Sequence, residues 1–192
     1  GQAISPIVYY NLHVSGGGNK TVTANTTVVV LGDIVGNETI DIQSNSKLAI
    51  GGNFDHTGSI NMVLTNTTVE YFGSNPQNVK GMIYTNLILS GNSEKVLLGN
   101  AIIFANNTLS LAGAVLDLGN FNLVLNANSA ITSTVGNNYS TNNFIRTDGT
   151  GMLGMNLPTA TGINRTFPIG NGNIYTPFQI TNITNSQANT LS

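Results

Sequence analysis

Apolar and polar residues alternate in short runs along most of the chain: TTVVVLG at 26–32, ETIDIQSN at 38–45, SKLAIGG at 46–52, SINMVL at 59–64 and TTVEYFG at 67–73. The runs are rich in β-branched residues and most close on Gly or Asn, the pattern of half-buried strands. Windows with helical spacing are interrupted by Gly and Asn within a turn or two, so no helix is predicted.

The spacing of the strands says more than their number. In NTLSLAGAVLDLGNFNLVLNANSAI the pairs Leu109/Leu111, Leu116/Leu118 and Leu123/Leu125 recur every seven residues, and Ile131 follows at eight. Hairpin sheets do not require this regularity. A solenoid does, because each short strand forms one side of a coil, turns at Gly or Asn and stacks on the coil below. Three such sides predict coils of roughly 21–25 residues, hence an all-β chain folded as a right-handed parallel β-helix with three short strands per coil. Gly113, Gly119, Asn120, Asn126 and Asn128 are the expected corners, since Gly and Asn tolerate left-handed backbone. Within each leucine pair the spacing suggests one inward and one outward set.

VYYNLHVSG at Val8–Gly16 returns 75 residues later as IYTNLILSG at Ile83–Gly91, flanked by the matches Lys20-Thr21-Val22 to Lys95-Val96-Leu97 and Gln2-Ala3-Ile4 to Gln77-Asn78-Val79. A unit of about three coils is expected, with Tyr9 and Tyr84 on one side of the solenoid. The chain thus opens inside a repeat and closes, at NSQANTLS, on what reads as a new strand, so a longer array is expected. From Tyr139 the gaps lengthen and Pro158, Pro168 and Pro177 appear. The predicted division is a solenoid over 1–138 and a small antiparallel β unit or cap over 139–192.

Composition narrows the partners. Only 7% of residues are charged, against roughly 25% in ordinary domains, so the surface is built from neutral Asn, Thr, Ser and Gly. A net charge of −2 with six Lys+Arg provides no basic stripe, and nucleic acid is not an expected partner. No apolar run approaches the length of a membrane span, so membrane insertion is not expected either. The absence of cysteine excludes disulfides and thiolate metal sites.

GSNPQNVKGMIYTNLILSG, GAVLDLGNFNLVL and FIRTDGTGMLGMNLPTATGINRTFPIGNGNIYTPFQI together resemble the repeats of very large exported surface proteins of Bacteroidota that leave the cell by the type 9 secretion system. In that family a Y-x-N-L strand alternates with an L-D-L-G strand and precedes a TDGTG…FPIG…YTP segment. The resemblance spans about Gln2 to Ile180. It implies an extracellular, cell-surface location and adhesive or filament-forming roles, with neighbouring repeat modules of the same or identical chains as partners and surface polysaccharide as a further candidate.

Chemical candidates are sparse. His13 and His56 have only Asp55 as an acidic neighbour, too few ligands for a metal site. Asp33, Glu38, Asp41, Asp55, Glu70, Glu94, Asp117 and Asp148 are scattered singly, whereas glycoside cleavage needs two converging carboxylates. RTDGTG at 146–151 reads as an Asp-Gly turn and not a calcium loop. GGGN at 16–19 lacks the Lys-Ser/Thr ending of a phosphate loop. One TVT at 21–23 is not the row of threonines that an ice-binding face requires. Eight N-x-S/T triplets, at Asn19, Asn25, Asn37, Asn66, Asn106, Asn138, Asn164 and Asn182, are expected as stacked corner amides. No catalytic, cofactor-binding or metal-ligating residue is assigned and no cofactor is expected. The leading expectation is a non-catalytic structural and adhesive module. The alternative is a carbohydrate-binding or polysaccharide-processing β-helix in which Tyr9, Tyr10, Tyr71 or Tyr84 stacks on sugar rings.

Overall fold

The strands Thr108–Ala112, Val115–Asp117 and Leu123–Leu125 follow one another round three walls of a single coil. The computed structural model describes residues 1–133, 138–187 and 189–191; among them there is no helix, and so none long and apolar enough to cross a membrane. Parallel strands stack into a β-solenoid of about 8 turns, with a small antiparallel sheet towards the C-terminus.

One wall, here the second, is an unbroken seven-stranded parallel sheet formed by Val8–Tyr9, Thr27–Val30, Lys47–Ile50, Thr68–Tyr71, Asn86–Ser90, Thr108–Ala112 and Ala130–Ser133. Its register builds two inward columns, Val28-Leu48-Val69-Leu87-Leu109-Ile131 and Val30-Ile50-Tyr71-Leu89-Leu111. All are buried except half-buried Ile131. Column neighbours are 18 to 22 residues apart in sequence, one coil, somewhat tighter than the predicted coil. At about 4.8 Å per parallel strand, each inward side chain packs on its counterparts above and below.

The period-seven leucines do mark the three walls, but they do not split into inward and outward sets. Leu109, Leu111, Leu116, Leu118, Leu123 and Leu125 are all buried. Residues i and i+2 of a strand share a face, so the outward positions are the ones between them: Ser110, Asp117 and Val124. Of the expected corners, Gly113, Gly119 and Asn128 take positive φ, while Asn120 and Asn126 do not. A left-handed Asn before the second wall recurs instead as Asn25, Asn45, Asn66, Asn106 and Asn128. The Asn66 amide donates to Asn45 Oδ1 at 3.1 Å, one rung of the expected amide ladder.

The first wall holds Gln2–Ile4, Lys20–Val22, Ile40–Ile42 and Ile60–Met62, and the third holds Leu12–Val14, Ile34–Gly36 and Phe54–His56. On both, the backbone ladder then stops. It resumes at the same positions in the coil with Ile83–Tyr84, Ala101–Ile103, Leu123–Leu125 and Leu153–Leu157 on the first, and with Gln77–Val79, Glu94–Leu97, Val115–Asp117, Ile145–Arg146 and Ile169–Asn171 on the third. Side chains bridge this seam: Asn78 N donates to Asn53 Oδ1 (3.1 Å), Lys80 Nζ to the His56 carbonyl (2.7 Å) and Gln77 Nε2 to the Ile50 carbonyl (3.1 Å).

The 75-residue echo crosses the seam in an unexpected way. Gln2–Ile4 maps onto Gln77–Val79, Val8–Tyr9 onto Ile83–Tyr84, and Lys20–Val22 into Glu94–Leu97, each time eleven strands further on. Eleven strands are three and two-thirds coils, so Tyr9 lies on the second wall and Tyr84 on the first, contrary to the expectation of one shared side. The unit is a screw repeat, each copy starting one wall round from the last. Local detail survives the rotation. Tyr9 and Tyr84 each donate a hydroxyl hydrogen bond to the carbonyl four residues back, at Ser5 and Lys80. Gly16 and Gly91 take φ of 88° and 91°, and the next residues, Gly17 and Asn92, are also left-handed.

The solenoid does not end at residue 138. Ile145–Arg146, Leu153–Leu157 and Ile169–Asn171 all pair in parallel with solenoid strands. What separates this part is the hairpin of Ala160–Phe167 with Phe178–Asn185, together with the short antiparallel pairings of Ile174–Tyr175 and Asn189–Leu191. Ala160–Phe167 intervenes between the solenoid strands Leu153–Leu157 and Ile169–Asn171, and its partner Phe178–Asn185 follows the latter, which lengthens the gaps and hides the seven-residue period. Ala188 and Ser192 of the expected 139–192 unit lie outside the described residues.

Candidate functional site

Stacking gathers side chains that the sequence holds far apart. On the outer face of the third wall Val96 is in register with Asp117 and Asp117 with Arg146, so acids and a base from three coils converge. Arg146 Nη1 lies 3.2 Å from Glu94 Oε1 and 3.1 Å from Asp117 Oδ2, while its Nε donates to the Gly172 carbonyl. Burial disfavours the charged guanidinium, but the two carboxylates prevail and its pKa is raised. A cavity of about 390 Å³ opens beside this cluster. Sequence separation concealed the Glu94–Asp117 pair. Both carboxylates are held by one guanidinium, a geometry that fixes charge.

Of the remaining acids Asp55 is exposed and the other five serve the coils. Asp33 Oδ1 accepts Asn53 N, Asp41 accepts the amides of Asn19 and Asn61, Glu38 accepts Gly17 N, Glu70 pairs with Lys47 and Asp148 accepts Gly172 N. Asp148 thus anchors the chain at Gly172, 24 residues further on, and the bond does not close a turn at its own Asp-Gly dipeptide. His13 is exposed on the third wall and His56 is buried facing inward, so the two histidines are not brought together. Of the tyrosines expected to meet sugars, Tyr71 and Tyr84 are fully buried with their hydroxyls 3.3 Å apart. Each lies in line with the buried members of its own wall, which corrects their assignment as stacking platforms. Tyr9 is half-buried and Tyr10 is exposed.

Two buried nitrogen bases, His56 and Lys95, lie at and beside the seam. His56 is 2% exposed and neither ring nitrogen has a hydrogen-bond partner among the described residues. Burial lowers its pKa, nearby Lys80 adds to this, and the backbone of Glu38 and Gly58 opposes it. A native His56 that resists protonation, beside an unfolded one that accepts it near pH 6.5, means that the unfolded state binds more protons as pH falls below that value. Stability should therefore be full above about pH 6.5 and decline below it, and His56→Leu should flatten this decline in thermal melts followed by circular dichroism. An unchanged pH slope in the variant would exclude His56 as its source.

Lys95 is the second buried group. Its ammonium is fully enclosed and donates to the Gly73 carbonyl (2.8 Å), Gln77 Oε1 (2.6 Å) and Ser93 Oγ (2.7 Å). Gln77 is equally committed, accepting Gly73 N at 2.7 Å and donating to the Ile50 and Gly52 carbonyls. The network ties three coils at the start of the second repeat unit. Sequence reading passed over Lys95, although Lys20 and Lys95 share their strand parity with inward Val22 and Leu97.

A cavity of about 570 Å³ lies where the hairpin leans over Ala130–Ser133, the last strand of the second wall. Tyr139, Tyr175, Arg165, Gln179, Asn138 and Asn164 line it, with Ile131 and Met155 as apolar surface. The Tyr139 hydroxyl donates to the Ile131 carbonyl at 2.8 Å. Burial, with a smaller contribution from Tyr175, raises the Tyr139 pKa to about 12. Arg165 has one hydrogen bond, to the Asn164 carbonyl, and no carboxylate lines the cavity among the described residues. Asn138 and Asn164 were expected as stacked corner amides and the other lining residues were not singled out, because only the hairpin brings them together.

Compared with protein-family models, curated proteins and solved structures, the chain finds no match in any of the three.

Proposed function

We propose that the chain is a non-catalytic structural and adhesive module of a long extracellular surface or filament protein, continued through stacked coils by neighbouring repeat modules. The observation that carries this reading is the second wall, a parallel ladder of seven strands that crosses the seam without interruption. Load along the axis is shared by a row of backbone hydrogen bonds in each coil, and stability grows with each added repeat. The neutral polar surface and the resemblance to exported Bacteroidota repeats support the extracellular setting. The screw repeat adds a consequence: a feature carried once per unit winds around the stalk and returns to its starting wall after three units, or eleven coils.

The test is a duplication. A second copy of residues 2–76 placed ahead of Gln2 joins Pro76 to Gln2 as the native chain joins Pro76 to Gln77. The lengthened chain should melt cooperatively and about 5 °C or more higher, with Gln2 of the inner copy protected as Gln77 is. A lengthened chain that melts no higher would overturn the stalk.

The processing alternative is favoured by one observation, the convergence of Glu94, Asp117 and Arg146 beside a cavity. Release of reducing ends from a polysaccharide, abolished by Glu94→Gln, would establish it in place of the non-catalytic module.

A further inference from the structure

We infer that the cavity between the last second-wall strand and the C-terminal hairpin binds carboxylated sugar residues of an acidic polysaccharide. The inference rests on the adhesive reading and names its ligand class. Its physical basis is the unmatched charge. A guanidinium has five N–H donors in a planar fork suited to a carboxylate. Arg165 uses its Nη1 on the neighbouring Asn164 carbonyl, and no ion pair reaches it among the described residues. With no carboxylate in the lining, the cavity carries positive charge within a protein of net charge −2. An anion is the complementary occupant.

The rest of the lining selects a sugar among anions. Tyr139 and Tyr175 are half-buried rings of the kind that present an apolar face to sugar C–H groups. Tyr139 is fixed by its bond to the Ile131 carbonyl. Tyr175 packs on Phe144, ring centroids 6.1 Å apart, which also limits its freedom. Preorganised rings lose little entropy on binding. Exposed Asn138 supplies an amide for ring hydroxyls, and so do Asn164 Nδ2 and Gln179 Oε1, the ends opposite those bonded to Asn182 N and Thr166 Oγ1. A volume of about 570 Å³ falls within the range of small-ligand sites.

An added β-strand is the main competing occupant, because Ala130–Ser133 is the edge of its sheet. That edge is obstructed. The Ile131 carbonyl already accepts the Tyr139 hydroxyl, so a strand adding in regular register loses one of its acceptors.

The whole chain would be titrated calorimetrically with oligogalacturonate and oligoglucuronate trimers, with uncharged galactose and glucose trimers as controls. We expect saturable binding of at least one acidic series, weakened by salt, and about tenfold or more weaker in Arg165→Gln. Arg165→Lys should recover part of the loss, since it keeps the charge without the fork. Tyr175→Leu should weaken both charged and residual uncharged binding. Among the described residues the Arg165 side chain hydrogen-bonds only to its neighbour's carbonyl and forms no ion pair, so melting temperatures should stay at the parent value and separate a binding defect from misfolding. Absence of saturable binding by both acidic series, equal binding of uncharged trimers, or undiminished binding in Arg165→Gln would overturn the inference. So would preferential capture of an extended seven-residue strand peptide. None of these results alters the melting behaviour of the duplicated chain, so the stalk and its ligand stand or fall separately.

Discussion

Leu111→Asp should abolish the cooperative fold, whereas Ser110→Asp, one residue away on the same strand, should leave it nearly unchanged. Leu111 closes an inward column above Leu89, and both are fully buried. Removing a buried leucine costs about 2–3 kcal/mol, and an unpaired carboxylate in its place adds several more. That total approaches the whole stability of an ordinary domain, about 5–15 kcal/mol. Ser110 faces outward between Ile88 and Thr132, where a carboxylate stays hydrated and the change should remain within about 0.5 kcal/mol. Far-UV circular dichroism and urea titration of both variants would decide. Native-like melting of Leu111→Asp would mean that the columns are not the core.

The solenoid was legible because strand alternation and corner residues both leave marks in a sequence. Three leucine pairs at seven-residue spacing are three walls, and the structure keeps them so. Coil number was not legible, because a coil has no fixed length. Ile83–Tyr84 runs almost directly into Asn86–Ser90 with only Thr85 between them, while other corners take several residues. Seventy-five residues therefore pass for three coils when they contain eleven strands. The C-terminal antiparallel sheet was legible, but its start was set too early: Ala160–Phe167 interrupts the spacing while the parallel pairing continues through Leu153–Leu157 and Ile169–Asn171.

Sites were less legible than walls. Glu94, Asp117 and Arg146 meet only because the coil register superposes strands, and that register depends on the irregular corners. Tyr139 and Arg165 meet only because the hairpin folds back. Parity, by contrast, was available. Tyr71 is two residues from Val69, and Lys95 two from Leu97, so both shared a face with core residues in the sequence itself. Tyr71 and Tyr84 were assigned to the surface by residue type, and Lys95 was passed over, when their position argued for the interior.

Lys95 gives the clearest consequence of that interior position. Gln77→Leu should destabilise the chain by about 3–5 kcal/mol, because it leaves the buried ammonium short of an acceptor and strands Gly73 N and two carbonyls. Lys95→Met should cost much less, since the charge leaves together with its desolvation penalty and the thioether chain fills similar space. The two variants should also differ with pH. Burial lowers the Lys95 pKa from its ordinary value to about 8. Between that value and the unfolded pKa near 10.4, the unfolded chain holds a proton that the native chain has released, so the Lys95 contribution rises with pH across this window. Below about pH 8 both states are charged and the contribution is flat. Above about pH 10 the buried hydroxyls of Tyr71 and Tyr84 act in the opposite sense, because burial raises their pKa, that of Tyr71 to about 12, and ionisation favours the unfolded chain. Stability should therefore climb from about pH 8 to about pH 10 and then fall. Lys95→Met should lose the climb and keep the fall, and Gln77→Leu should begin its climb at lower pH, since the ammonium has one acceptor fewer. Urea unfolding of the three chains at closely spaced pH values would show this, and a climb that persists in Lys95→Met would place its source elsewhere in the fold.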